Sequence, residues 1–305
     1  SSAASDVYKR QLGSTSLEQR VESLKNSIEI LRLRAEVLRK IRQYFSDREV
    51  LEVETPILSP FAVTDPDVHS IKVKDYGYLH TSPEYAMKRL LCKGAPSIFQ
   101  IAHVFRAGEL GRYHNPEFSM LEWYRLNFDH IDLMAEVSEL INLILGPGEY
   151  QTIPYKELLG SRYEKLKNDR SELDLAFSLS CEELGTGRFF ISSYPADQAV
   201  LSRIDPRDPT VSCRFELVVD GVEIANGYWE LQDVVEHEER FQKDLERRAI
   251  LNAELPEVDQ NFMRSLEAGL PDCAGVSVGL DRVLMILAEA NSLDAVMPIG
   301  REPHL

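Results

Sequence analysis

The stretch RFELVVDGVEIANGYWEL, residues 214–231, does most to constrain the fold. Asp220-Gly221 separates two apolar-rich runs, and Asp-Gly suits the two-residue turn whose twist matches that of paired strands. Arg214–Val219 and Val222–Leu231 are therefore predicted as adjacent antiparallel strands. A second pair is written in FRAGELGRYHNPEFSMLEWYRL, residues 105–126, where strands Ser97–Phe105 and Phe118–Leu126 flank a polar loop. That loop exceeds the two to five residues usual in a hairpin, and it carries Arg106, Glu109, Arg112 and His114. Such a loop is built to cover something anionic.

Helical spacing surrounds these strands. From Ser16, apolar residues recur every three or four positions through Phe45, predicting a helix that ends near Asp47-Arg48. Short strands are expected at Val50–Val53, Ile71–Val73 and Tyr78–Thr81, with a polar loop over 60–69. Ser82 is expected to cap a helix that opens at Pro83 and runs to about Leu91. Ile131–Leu145 reads as an amphipathic helix, 150–188 as mixed and mostly helical, and Phe189–Ser192 as a strand. Helices over 232–251 and 258–268 precede the strand Gly275–Gly279, which runs into a helix over Leu280–Glu289. No internal repeat or low-complexity linker divides the chain, so one α+β domain around an antiparallel sheet is expected. The opening SSAASDVYKRQ resembles translated sequencing-adapter DNA. Residues 1–13 are set aside as an adapter-derived or disordered segment, leaving 14–305 as the domain.

Charge narrows the partners. The chain has 34 Lys and Arg against 50 Asp and Glu, a net charge of −16, and such a surface repels a phosphate backbone unless its basic residues cluster. An extended nucleic-acid footprint is disfavoured, and a small anionic ligand needs a local basic pocket. The four cysteines have neither CxxC spacing nor a histidine partner at zinc spacing, which fits free thiols in a reducing cytoplasm. No apolar stretch reaches the ~18 residues of a membrane-spanning helix, so no membrane partner and a cytoplasmic location are expected.

Three clusters carry chemistry. Arg106, Arg112 and His114 can fold over a triphosphate while Phe118 stacks on a purine, and Glu122 lies where a half-buried strand would ordinarily hold Val or Thr. Glu216 and Glu223 sit on opposite strands of the Asp220-Gly221 hairpin, placed to converge on Mg²⁺, which takes carboxylate and phosphate oxygens. GVSVGLDRVLMIL, residues 275–287, lets a ligand approach a glycine-flanked strand, with Arg282 in the first helical turn. Each has a plain alternative: a decorated surface hairpin, solvent-facing acids alternating with core Phe215, Leu217 and Ile224, and a strand–helix packing corner. Together, cations for phosphates, acids for a metal, and further acids (Glu84, Glu122) for a cationic substrate describe adenylate-forming chemistry.

REVLEVETPIL, FRAGELGRYHNPEFSMLEWY and GVSVGLDR resemble, in order, motifs 1, 2 and 3 of the class II aminoacyl-tRNA synthetases. TSPEYAMKRLL and the 214–231 hairpin resemble the lysyl branch, and within it the free-standing, lysyl-tRNA-synthetase-like elongation factor P–(R)-β-lysine ligases. The likeness runs from about Leu31 to Val296 and is weakest over 150–188. It implies a six-stranded antiparallel sheet flanked by helices, a homodimer formed around Pro56, and no anticodon-binding domain. It implies ATP as substrate with Mg²⁺ on Glu216 and Glu223, and ATP contacts from Arg106, Glu109, His114, Asn115, Phe118 and Arg282. Arg106 and Arg282 are the implied catalytic residues. Ser82, Glu84, Arg106, Glu122, Tyr124, Asn226, Glu230 and Ser277 are the implied contacts of (R)-β-lysine or lysine. The implied acceptor is a lysine of elongation factor P, with Lys88, Arg89 and Arg112 expected as its basic docking patch.

The sequence departs from the lysyl-tRNA synthetases at three places. Arg106-Ala107-Gly108-Glu109 stands where they have Arg-Asn-Glu, Ser277 replaces the middle glycine of motif 3, and Val63-Thr64-Asp65 resembles the ligases. The same resemblance leaves open the catalytic domain of an N-terminally truncated lysyl-tRNA synthetase. A non-catalytic paralogue is the third reading, and it has no use for a pyrophosphate site.

Overall fold

A computed structural model describes residues 17–297 and 299. The expectation for residues 1–13 lies outside the described residues. Helix α1 (Leu17–Ser46) buries Val37, Ile41, Tyr44 and Phe45, whereas Ile28 and Leu31 are exposed. From residue 28 on, Ile30 and Leu33 are also packed against the core, so the described part of the stripe is covered progressively towards the C-terminal end.

A nine-stranded sheet dominates. Its strands are β1 (Leu51–Glu52), β5 (Ile98–Phe105), β6 (Glu117–Leu126), β7 (Tyr150–Pro154), β8 (Arg188–Pro195), β9 (Ile204–Asp205), β10 (Asp208–Val219), β11 (Val222–Trp229) and β12 (Cys273–Gly279). The order is β1-β5-β6-β12-β11-β10-β8-β7, with β9 beside β10. From β5 to β8 every neighbour is antiparallel, whereas β1–β5 and β7–β8 are parallel. The expected six-stranded sheet is therefore the centre of a larger mixed one. Of the added strands, β1 falls within the expected Val50–Val53, whereas β9, of two residues, is too short to show the period-two alternation that betrays a strand in sequence, and β7 lies in the stretch expected to be mostly helical. Strands β2 (Leu58–Ser59), β3 (Ile71–Val73) and β4 (Gly77–Leu79) form a separate small sheet.

The 220–221 turn forms as its residues dictate. Asp220 has φ 50° and Gly221 φ 78°, both positive, as the mirror-image type I turn requires. Residues 150–188 fold as β7 followed by helices α4 (Tyr155–Leu159), α5 (Ser161–Leu166) and α6 (Arg170–Glu183). Ser82 is not a helix cap: α2 (Glu84–Cys92) begins one residue later than expected, with Pro83 at the cap position and no side chain bonded to its free amides.

Alternation along the central strands divides the sheet into two faces. Leu121 and Trp123 of β6, Phe215 and Leu217 of β10, and Val276 and Val278 of β12 point into the main core. They pack with Ile41 and Phe45 of α1, Val137, Leu140 and Ile141 of α3 (His130–Leu145), and Val283 and Leu284 of α9 (Leu280–Leu287). The opposite face carries the intervening residues, and here polar groups are buried.

That second face is roofed by the segment around Val63–Val68 and by α7 (Val234–Ile250), which precedes α8 (Gln260–Glu267). Arg248 of α7, 4% exposed, fastens the roof. Its guanidinium donates to the backbone oxygens of Val63, Thr64, Asp65, Val68 and Glu254. Arg247 adds a pair to Asp67, and Thr64 donates its hydroxyl hydrogen to Asp244.

Candidate active site

Cross-strand register lays the site out in rows. Glu122 lies opposite Ser277, Ser277 opposite Asn226, and Asn226 opposite Glu216. Two residues along, Tyr124 lies opposite Gly275, Gly275 opposite Tyr228, and Tyr228 opposite Arg214. Neighbouring strands are about 4.8 Å apart, so each row is a line of side chains on one floor. Gly275 is required in the second row: a Cβ there would overlap the Tyr124 ring and lie 2.5 Å from Glu230 Oε1.

Above this floor is a cavity of about 790 Å³. Ser82, Glu84, Arg106, Glu122, Tyr124, Glu216, Glu223, Asn226, Glu230 and Ser277 all line it. A second cavity of about 260 Å³ adjoins it, lined by Glu109, His114, Asn115, Phe118 and Arg282. Arg106, Glu223, Asn226 and Ser277 are common to both. The residues expected around ATP thus gather mainly in the smaller space, those expected around lysine in the larger one, and Arg106 stands at the junction.

In the smaller cavity cations are held by loop and strand together. Arg282 donates from Nε to the Tyr113 carbonyl at 3.1 Å and from Nη1 to the Glu223 carbonyl at 2.8 Å, with the Glu223 carboxylate at 3.3 Å. Its Nη2 donates to His114 Nε2 at 2.9 Å. Burial and the Arg282 charge push the His114 pKa down, keeping the ring neutral and able to accept. Arg106 lies over the Phe118 ring, 5.2 Å from its centroid, donates to the Thr81 carbonyl and pairs with Glu109 at 3.5 Å. Asn115 donates to the Glu117 carbonyl, which braces the long loop from within.

The hairpin acids are not the solvent-facing pair of the plain alternative. Glu216 is buried and pairs with Arg214 at 2.6 Å, while Glu223 is exposed. Burial, and next the like charge of Glu223, push Glu216 up to about 7. A buried carboxylate raised by the like charge of its neighbour is a fit for a cation shared between the two. Among the described residues no three His, Cys, Asp or Glu side chains cluster to hold a metal. A cation here would complete its shell with ligand oxygens, as Mg²⁺ does with phosphates.

The larger cavity hides a lysine that sequence reasoning placed on the surface. Lys88 is fully buried, 2.7 Å from Glu84 and 2.6 Å from Glu230. Burial opposes its charge, but Glu230 and Glu84 outweigh that cost and hold the ammonium above its usual range. Lys88 therefore cannot belong to a basic docking patch; of the three residues proposed for one, Arg112 is exposed and Arg89 half-buried. The i,i+4 spacing of Glu84 and Lys88 is equally the mark of a solvent-facing helix pair, which is why the sequence misleads. Glu122 accepts from Tyr124 Oη at 2.7 Å, and burial, with Glu84 adding to it, pushes it up to about 8. Arg214 and Tyr228 also line the cavity and were missed; Tyr228 Oη lies 2.8 Å from Asn226 Nδ2 and accepts from it. Their only sequence signal was period-two spacing from Glu216 and Asn226.

Comparison with known proteins gives the family of the whole chain. The family described as tRNA synthetases class II (D, K and N) matches residues 14–302. An elongation factor P–(R)-β-lysine ligase of Vibrio cholerae is 40% identical over 306 residues, covering 88% of this chain and 94% of its own length. The protein of the same name from Photorhabdus laumondii is 40% identical over 300 residues, covering 87% and 92%. That of Hamiltonella defensa is 37% identical over 307 residues, covering 88% and 94%. The chain belongs to the class II tRNA synthetase (D, K and N) family, in the branch of the elongation factor P–(R)-β-lysine ligases, and is an ATP-dependent ligase.

Proposed function

We propose that the chain activates (R)-β-lysine, or lysine, as an aminoacyl-adenylate and transfers it to a lysine of elongation factor P. The observation that carries this reading is the junction at Arg106 between a cavity lined by Arg282 and His114 and one lined by Glu84, Glu122 and Glu230. A triphosphate and a diammonium ligand would meet at one arginine.

The chemistry follows from charge. A substrate carboxylate oxygen attacks the α-phosphorus, the bond to the bridging oxygen breaks, and pyrophosphate leaves. The nucleophile is already ionised, so no general base is needed in this step. Arg106 would hold the carboxylate and α-phosphate, and Arg282, with His114 beside it, the terminal phosphate. Phe118 would stack on adenine, with Glu109 and Asn115 completing the nucleotide contacts. Glu216 and Glu223 would hold Mg²⁺, which supplies neutralisation of the departing pyrophosphate. Glu84 would meet the amino group near the carboxylate, while Glu122, Tyr124 and Glu230 would form the end that receives the distal ammonium. Ser82, Asn226 and Ser277 would line the substrate backbone. In the second step the neutral acceptor amine attacks the acyl carbonyl, AMP leaves, and the amine gives up a proton.

We place the dimer contact around Pro56, where Leu51, Ile57 and Leu58 are exposed, and the enzyme in the cytoplasm. No helix among the described residues is long and apolar enough to cross a membrane. The test is to incubate the protein with ATP and labelled (R)-β-lysine, with elongation factor P in one tube and total tRNA in another. Label is expected on the protein. Label on tRNA and none on elongation factor P overturns the reading in favour of a lysyl-tRNA synthetase.

A further inference from the structure

The large cavity contains more acid than its fixed cation can neutralise. Glu84, Glu122 and Glu230 meet around one buried ammonium, that of Lys88. Lys88 touches Glu84 and Glu230, but Glu122 has only the neutral Tyr124 hydroxyl as its hydrogen-bond donor. Glu122 and Glu230 are 3% and 1% exposed, so little water reaches either charge. An isolated buried carboxylate takes up a proton rather than remain ionised.

We propose that Lys88 is a built-in counter-cation that fixes the cavity's demand at two further ammonium groups, and that Glu122 stores a proton in the empty cavity and releases it when a diammonium ligand binds. This rests on the reading of the cavity as the lysine site. Without Lys88 the same acids would call for three cations, and with a second fixed lysine only one. Lys88 is thus a specificity-determining residue that need not touch the substrate.

Burial pushes Glu230 up to about 8 as well, but Lys88 lies 2.6 Å from it while no cation among the described residues touches Glu122, so the stored proton resides on Glu122. Helix α2 presents Glu84, Tyr85 and Lys88, strand β6 presents Tyr124, and the end of β11 presents Glu230 with Tyr228 nearby. Arg203 faces Glu230 from beside β9, and Cys273 faces it from β12. His237 of α7 faces Lys88 and stays neutral, pushed down to about 4 by burial first and Lys88 second. Tyr85 and Tyr124 are held neutral by burial, and Tyr228 and Cys273 likewise stay protonated. Glu122 is pushed up to about 8, so it is mostly protonated in the free protein at pH 7 and ionised once an ammonium faces it. The sign follows: the free form binds more protons than the complex below about pH 8, so affinity rises with pH up to that point and falls above it as the ligand's own α-ammonium deprotonates.

Titration calorimetry of lysine binding to the full chain, in buffers of differing ionisation enthalpy, reads the protons directly. The ammonium groups of lysine are fully protonated at pH 7, so any proton released comes from the protein. Release of ~0.9 proton per lysine is expected at pH 7 and roughly half that as the pH nears 8, with a roughly tenfold gain in affinity from pH 6 to pH 7. Glu122→Gln should bind more weakly, release almost nothing and show a flat profile from about pH 6 to pH 7. Lys88→Met, if it folds, should release nearer two protons because Glu230 loses its cation. Lysine binding with a heat independent of buffer in the wild type, or undiminished release in Glu122→Gln, overturns this inference alone. Failure of lysine to bind at any pH overturns the lysine-site reading and this inference with it.

Discussion

Two glycines on opposite faces of the sheet offer a controlled test of which face does chemistry. Gly275 lies on the cavity face, where an added Cβ would overlap Tyr124 and sit 2.5 Å from Glu230 Oε1. Gly227 lies on the core face, where it would sit 2.6 Å from Cε1 of Phe215. Tyr124, Glu230 and Phe215 are each 2% exposed or less, so none can swing away into solvent. Both Gly275→Ala and Gly227→Ala should therefore overpack, at about 1–3 kcal/mol each. For a chain of this size that lowers the melting temperature by about 2–5 °C. Their effects on activity should diverge. Gly275→Ala pushes Glu230 off Lys88 and Tyr124 off Glu122, and a displacement of about 1 Å costs on the order of 10²-fold in turnover efficiency. The assay is ATP–pyrophosphate exchange, with lysine and ATP varied separately. Gly275→Ala should lose about 10²-fold in kcat/KM for lysine with KM for ATP nearly unchanged. Gly227→Ala should keep both within a few-fold at a temperature where it is folded. Equal losses of lysine activation in the two variants would refute the assignment of faces.

The other predictions probe single groups. Glu223→Ala should abolish exchange with a stability change within about 0.5 kcal/mol, because Glu223 is exposed; exchange that persists undiminished would remove the metal assignment. Norleucine, which keeps the length of lysine without its distal ammonium, should be activated ~10³-fold less well at pH 8.5, since it leaves buried acids unpaired. That ratio should shrink towards pH 6 as Glu122 keeps its own proton, and activation within tenfold at pH 8.5 would mean the pocket is misassigned. Ser277 lies opposite both Glu122 and Asn226, so Ser277→Gly should raise activation of α-lysine relative to (R)-β-lysine. A ratio unchanged in competition assays would place that choice elsewhere.

The sequence showed best what period and turn chemistry encode. Alternation through Phe118, Met120, Glu122 and Tyr124, and the Asp-Gly turn, located the central strands and the face of the site. It showed least where elements are short or a pattern has two meanings. β9 has two residues, and β7 reads as the edge of a helical region. Glu84 and Lys88 have the same spacing whether their helix face meets water or a cavity, and only burial separates the two. Ser82 before Pro83 looked like a cap, yet the helix starts at Glu84. Arg214 was read as the first residue of a strand, but its guanidinium turns back to Glu216 and to the Gln198 carbonyl, contacts that depend on tertiary structure.

The Arg248 clamp bears on how such a cavity can be re-purposed. Its guanidinium grips backbone oxygens of Val63, Thr64, Asp65 and Val68 and no side chain of that segment. Any amino acid carries the same carbonyl, so this clamp holds the segment without regard to what residues 63 and 68 display. Residues 63 and 68 thus form an interchangeable panel over a fixed floor. A library restricted to those positions would vary the ceiling of the cavity while the sheet, the buried charges and the fastening stayed as they are.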